Sequence, residues 1–199
     1  MESGTTLRNS IWPTLMFLGL FSLFFGALYP GVVMVINKTL FTKKANGCLI
    51  LLDNHIRGSA LLGQPFTEPK YFWSRPSATT PLPYSYIHSQ GSNLSPYQPQ
   101  LLLRVKQRIL DLQKADPTNK ELIPIDLVTT SASGLDPHIS LASAEYQIAR
   151  VARARNLTER TIIELVQNNI EDRQWGMLGE PRINVVTLNM KLDALKQGA

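Results

Sequence analysis

Residues 9 to 37 contain no Asp, Glu, Lys, Arg or His, and the run from Ile11 to Ile36 within them (IWPTLMFLGLFSLFFGALYPGVVMVI) is long and apolar enough to cross a bilayer as a single helix. A hydrocarbon core about 30 Å thick takes roughly 20 helical residues, so the run predicts one transmembrane helix over 11–36 behind an N-terminal tail of residues 1–10. Signal peptides carry an apolar region of only about 7–15 residues, and Ala27 and Gly31 frame a poor cleavage site, so an uncleaved anchor is expected. Trp12 and Tyr29 lie where amphipathic rings hold a helix at the two interfaces. Pro30 is expected to bend or end the regular helix, because it lacks an N–H and crowds the carbonyl of Gly26.

Gly19, Ser22 and Gly26 fall at i, i+3 and i+7, on one face of a regular helix. Lipid gives no hydrophobic drive for helix association, so a groove of small residues is where a second helix approaches closely, and these three are candidate subunit-docking residues. Phe17, Phe21, Phe24 and Phe25 suit acyl chains on the other side. The competing reading is chance, since Gly and Ser are common in membrane spans. One span with no paired intramembrane charge cannot form an ion pathway by itself.

Residues 37–199 are of soluble type and of the size of one domain with its own core. Charge gives no orientation. Arg8 precedes the span while Lys38, Lys43 and Lys44 follow it, which favours a cytoplasmic domain, but long segments translocate largely regardless of charge. Basicity is diffuse, with 12 Lys and Arg against 8 Asp and Glu up to residue 137 and 8 against 7 after it, so no stripe points to nucleic acid. Cys48 is the only cysteine, which excludes an internal disulfide.

The expected fold class is α+β: the single N-terminal transmembrane helix, then one compact mixed domain with a small sheet and about three to four helices. Gly47 to Leu52 and Ser59 to Leu62 are short apolar runs bounded by Asp53, Asn54 and Gly63, and read as strands that begin the sheet. Pro65 to Pro99 is rich in Pro, Ser, Tyr and Gly and reads as a long irregular segment, ordered by the packing of Tyr71, Phe72 and Trp73. Leu102, Val105, Ile109 and Leu112 mark a helix over Pro99 to Lys114, with Lys106 and Arg108 off the stripe. A second helix opens on the cap Ser140 and buries Leu141, Ala144, Ile148 and Val151 while Arg150 and Arg153 project elsewhere. A third follows Thr158 with Ile162, Leu165, Val166 and Ile170 on its buried side. INVVTLN and MKLDAL then read as an extended piece passing into a helical turn.

The loop Thr129 to His138 (TTSASGLDPH) gathers hydroxyls, a carboxylate and an imidazole, which invites a hydrolase reading. A serine nucleophile usually stands on a tight G-x-S-x-G turn, which is absent, so turn formation and helix capping weigh more heavily. The chain lacks G-x-x-x-x-G-K-[ST], G-x-G-x-x-G and a D-K-T-G phosphorylation motif, and so is not expected to hydrolyse ATP alone. His55, His88 and His138 have no ligand spacing. No catalytic residue, metal site or tightly bound cofactor is expected.

Six blocks occur together and in order: GSALLGQPF (58–66), YFWSRPSAT (71–79), GSNLSP (91–96), IDLVTTSASGLDPHIS (125–140), QIARVARARNL (147–157) and INVVTLN (183–189). With the single span they make the chain resemble the KdpC family, the C subunits of bacterial Kdp potassium-transporting ATPases, over nearly its full length. The resemblance implies a non-catalytic accessory subunit of a high-affinity potassium uptake complex, anchored once in the inner membrane with its domain in the periplasm. Its implied partners are a channel-like potassium-binding subunit (KdpA), a P-type ATPase subunit (KdpB) and a small membrane peptide (KdpF). The implied roles are assembly of the complex and a rise in its ATP affinity; binding ATP jointly with the ATPase subunit requires a cytoplasmic domain, whereas the implied topology puts the domain outside, where any effect on ATP affinity passes through the membrane helices.

Gln147 lies where the resemblance implies nucleotide contact; a helix-surface glutamine facing solvent or a subunit is the competing reading. Ser131, Ser133, Asp136 and Arg150 are candidates for shaping a docking surface. Two readings outside transport stay open, a membrane-tethered periplasmic binding module and a tethered hydrolase.

Overall fold

In lipid every backbone N–H and C=O must find its partner within the chain, and an uncharged single segment can do so only as a helix. The computed structural model, which describes residues 3–52 and 55–195, folds this part as α1 (Ser3–Leu23), a π-turn (Phe24–Leu28), α2 (Tyr29–Leu40) and the short α3 (Thr42–Ala45). Ile11–Leu40 is long and apolar enough to cross a membrane, and none of it is buried against protein. Two expectations change here. The helix reaches back to Ser3 into the expected tail, and Pro30 does not end it. The N–H of Tyr29 donates to the carbonyl of Phe24, five residues back, so the ladder is already opened by the π-turn beside the carbonyl that the Pro30 ring would crowd.

The chain divides into the compact units Met1–Leu49 and Ile50–Ala199. A two-stranded sheet of β1 (Leu49–Leu52) and β2 (His55–Ser59) begins at the boundary residue Leu49. The second strand thus precedes the expected run Ser59 to Leu62: the Ser59 hydroxyl accepts from the N–H of Leu61 and starts a turn there. The expected boundary at Asp53 and Asn54 lies outside the described residues.

The main sheet is built from residues that read weakly as strands. β3 (His138–Ser140), β4 (Ile170–Glu171) and β5 (Arg182–Asn184) pair antiparallel in the order β3-β5-β4, with Ile183 opposite both Ile139 and Ile170. Each strand carries one isoleucine into the centre, and Ile139 and Ile183 are buried. Ile170, expected on the third helix, belongs to this sheet.

The helices are α4 (Pro99–Ala115), the single turn α5 (Ile125–Val128), α6 (Leu141–Arg155), α7 (Glu159–Gln167) and α8 (Val185–Ala194). The caps follow the residue chemistry: Ser140 accepts from the N–H of Ser143, Thr158 from Thr161, and Asn184 from Val186 and Thr187. α6 ends on Asn156 in the left-handed region. Sheet, α6, α7 and α8 enclose one core of Phe72, Ile139, Ala144, Ile148, Val151, Ile162, Val166, Ile183, Leu188 and Leu192. A smaller cluster joins Leu112 of α4 to Leu127, Val128 and Tyr146. Leu102 is 58% exposed, and Arg108 is partly buried because its guanidinium donates to the carbonyl of Val128 at 2.7 Å, so the inner face of α4 differs from the expected stripe at those two positions.

Candidate functional site

The Thr129–His138 loop runs between α5 and β3, and its polar groups are spent on building it. Ser131, which is buried, accepts from the N–H of Gly134 at 3.0 Å, and the Ser133 hydroxyl accepts from the N–H of Leu135 at 3.2 Å. Its carbonyls hold three other segments: Ser133 accepts from the N–H of Gln90, Leu135 from the N–H of Gly63, and Gly134 from the hydroxyl of Ser77. Gly134 has φ +68°, and a Cβ there would stand 2.5 Å from the carbonyl oxygen of Gln90, so only glycine allows the approach. Ser131 and Ser133 therefore act as turn acceptors that tie residues 63, 77 and 90 to one point.

Asp136 closes the loop. Its carboxylate accepts from the N–H of His138, meets His138 Nδ1 at 3.0 Å, and has the Arg75 guanidinium at 3.7 Å. Burial alone would raise its pKa, but the side-chain and backbone hydrogen bonds of His138 and the nearby Arg75 charge outweigh that and hold it below the ordinary carboxylate value. His138 Nε2 faces Glu171 of β4 at 3.5 Å, and Glu171 pairs with Arg182 of β5 at 3.1 Å. The imidazole is thus held between two carboxylates, and the contacts span the sheet from edge strand β3 to edge strand β4 and return to the central β5. The tight serine elbow of a hydrolase has no counterpart in this arrangement.

The second candidate region is the buried side of α6. Gln147 is only 1% exposed and Arg150 5%, which corrects the expectation that both lie on the helix surface. Gln147 Oε1 accepts from the N–H of Trp73 at 2.7 Å and from Arg150 at 2.7 Å, while its Nε2 donates to the carbonyls of Trp73 and Ser143. Asn189 of α8 does the same one residue earlier, accepting from the N–H of Phe72 and donating to its carbonyl, both at 2.9 Å. Two side-chain amides thus pair the backbone of residues 72 and 73 as a neighbouring strand would.

Arg150 completes the clamp. It donates to the carbonyls of Pro69 and Tyr71 and stacks with its Cζ 4.5 Å from the Trp73 ring centre. Burial lowers its pKa to about 10, which leaves it cationic at neutral pH. Arg155 repeats the pattern, donating to the carbonyls of Lys70 and Leu192 and to Asp193. Asn189, Arg155 and Arg75 were not singled out in the sequence. The available signal was a polar residue falling on an apolar stripe, as Gln147 does three residues after Ala144. In this conformation both donors and the acceptor of the Gln147 amide are engaged.

In the first unit, Gly19 and Ser22 belong to α1, whereas Gly26 lies inside the π-turn, which shifts its direction from regular helical spacing. A Cβ at Gly19 or Gly26 would meet nothing within 4 Å. Phe17 stacks on Phe21, and Phe21 on Phe25, with ring centres 6.3 and 5.8 Å apart. Among the described residues no group of three or more His, Cys, Asp or Glu is placed to hold a metal ion.

Known proteins are similar to this chain over almost its whole length. Residues 11–194 match the family model described as "KdpC: K+-transporting ATPase, c chain". A Methylococcus capsulatus protein named "Potassium-transporting ATPase KdpC subunit" is 50% identical over 188 residues, which is 94% of this chain and 99% of that protein. Proteins of the same name from Burkholderia cenocepacia and Burkholderia vietnamiensis are 52% and 47% identical, covering 85% and 96% of this chain and 88% and 100% of theirs.

Proposed function

The chain belongs to the KdpC family of K+-transporting ATPase c chains, and from that premise we propose that it is a non-catalytic accessory subunit of an ATP-driven potassium uptake complex, needed for the complex to assemble. One observation carries this reading: relatives named as KdpC subunits match the chain through both its apolar helix and its domain. The side chains argue in the same direction. Ser131, Ser133, Gln147 and Arg150 are engaged in holding loops in place. The domain then offers a rigid surface to partners, and transport and ATP hydrolysis belong to other chains.

On this reading the helix anchors the chain in the inner bacterial membrane and meets the channel-like, ATPase and small-peptide subunits there, while the domain stands on the periplasmic side. ATP is cytoplasmic, so an effect of this subunit on the pump's ATP affinity is a coupling free energy passed through membrane helices, reciprocal between the two sites. Gly19, Ser22 and Gly26 are the proposed contact of the anchor.

The test is a C-terminal tag, growth of the source bacterium short of potassium, mild detergent extraction and mass spectrometry of what co-purifies. A P-type ATPase chain and a channel-like chain in fixed ratio are expected. Recovery of the tagged chain alone would overturn the accessory-subunit reading in favour of a tethered binding module.

A further inference from the structure

The end of the apolar helix carries charge that nothing near it in the chain neutralises. Lys38, Lys43 and Lys44 fall within seven residues, and no carboxylate stands between Glu2 and Asp53. All three lysines are exposed. On the proposed topology they emerge on the periplasmic side, where the preference for cytoplasmic Lys and Arg gives no reason for them.

The backbone shapes a groove beside this charge. α2 breaks at Phe41, with φ −125° and ψ 36°. The hydroxyl of Thr42 donates to the Lys38 carbonyl at 2.9 Å, which satisfies an acceptor at the helix end. α3 is closed in turn by the N–H groups of Gly47 and Cys48, which donate to the carbonyls of Lys44 and Lys43 at 3.0 Å. Ala45 of α3 thereby joins Pro30, Val33, Met34, Asn37 and Lys38 of α2 in lining a groove of about 440 Å³. The five α2 residues share one face, apolar at Pro30, Val33 and Met34 and polar at Asn37 and Lys38. None of Ile11–Leu40 is buried against protein, so the groove is open along its length.

We propose that this groove holds one anionic phospholipid, its phosphate at Asn37 and Lys38 in the field of Lys43 and Lys44 and an acyl chain along Met34, Val33 and Pro30. The proposal rests on the reading of Ile11–Leu40 as a membrane anchor. Charge and shape select the same occupant. The order along α2, apolar and then cationic, is that of a lipid with its chain inward and its headgroup at the interface. Lys38 can keep its ammonium at headgroup level while its methylene stem runs along the apolar surface. A zwitterionic lipid sets its own cation against the lysines. An apolar partner helix would leave Asn37 and Lys38 without polar partners, and a free phosphate would leave the apolar part of the groove unfilled.

The test begins with the full chain in its membranes, washed with alkaline carbonate. Retention is expected; release would overturn the anchor and the lipid site together, whereas retention without lipid preference would overturn the lipid site alone. Native mass spectrometry of the chain in a neutral detergent should show one bound phosphatidylglycerol, favoured roughly tenfold over phosphatidylcholine with the same acyl chains. Lys38→Gln should weaken retention roughly fivefold, and Lys43→Gln with Lys44→Gln at least as much. Val33→Trp, which fills the groove with every lysine in place, should displace the lipid too. Arg160→Gln, an equal loss of charge at an exposed position of α7, should change nothing. A loss there as large as in Lys38→Gln would reduce the effect to diffuse charge and overturn the proposal. So would full retention in Val33→Trp, or competition by glycerol 3-phosphate as strong as by phosphatidylglycerol, which would make the site one for free phosphate. A photoreactive side chain placed at Met34 should cross-link to lipid in whole cells; a cross-link to a partner helix instead would overturn the proposal.

Discussion

Gln147 and Asn189 show how one amide can replace a strand. The backbone of Phe72 and Trp73 is buried in a segment without regular structure, and each of its polar groups would be costly if left alone. Replacing Gln147 by Ala leaves the Trp73 N–H and part of Arg150 unpaired in the interior, so a loss of about 3 kcal/mol is expected. Urea unfolding followed by tryptophan fluorescence measures it; an unchanged midpoint would mean that the clamp does not hold the segment. Asp136 makes a pH-dependent contribution. Its native pKa is lowered, so the stability it adds is present above the ordinary carboxylate value of about 3.9 and is lost as pH falls through the lower native value. Asp136→Asn should therefore be less stable than the parent at pH 7 and equal to it in strong acid, as thermal melts across that range would show. A gap that persists in strong acid would assign the effect to geometry and not to charge.

At the scale of elements, the domain is joined more by loop-to-loop bonds than by its short strands. The 129–138 loop holds residues 63, 77 and 90 through backbone carbonyls, and Gly134 is the position that permits the approach. Gly134→Ala should cost about 2 kcal/mol or more, from a left-handed alanine and from the displaced Gln90 carbonyl. Proteolysis of residues 77–95 is the direct readout, since release of the loop should expose it to cleavage; an unchanged digestion pattern would count against the hub. The start of α6 is secured twice, by the Ser140 cap and by Asp126, which accepts from Ser140 and from the hydroxyl of Ser143. Ser140→Ala should lower the melting temperature by an amount equivalent to about 1 kcal/mol. In a variant already lacking Asp126 the loss should be smaller, because the two groups share partners.

At the scale of the whole molecule, the chain combines one apolar helix of membrane-spanning length with a folded domain, which on the proposed reading serve as anchor and docking surface. If the small residues of the anchor are a contact, Ser22→Leu with Gly26→Leu should weaken assembly by keeping a partner helix at a distance. The readout is the yield of intact complex after detergent extraction, and an undisturbed complex would refute that contact. Because the π-turn moves Gly26 off the regular spacing, Ser22→Leu alone should account for most of the loss if the contact follows α1.

Much of this was legible because it depends on neighbours in the chain. A run of twenty or more uncharged apolar residues reads locally as one long helix of spanning length, and the caps at Ser140 and Thr158 act within three residues of themselves. The family blocks were legible for the same reason, being local strings. What depends on distant partners was not. Three strands of three, two and three residues have too little pattern to read, and they exist because Ile139, Ile170 and Ile183 meet in one layer. Gln147 and Arg150 read as surface residues because a polar side chain on a helix is usually solvated. The tertiary structure alone placed the carbonyls of residues 69–73 against them, so that burial became the lower-energy choice.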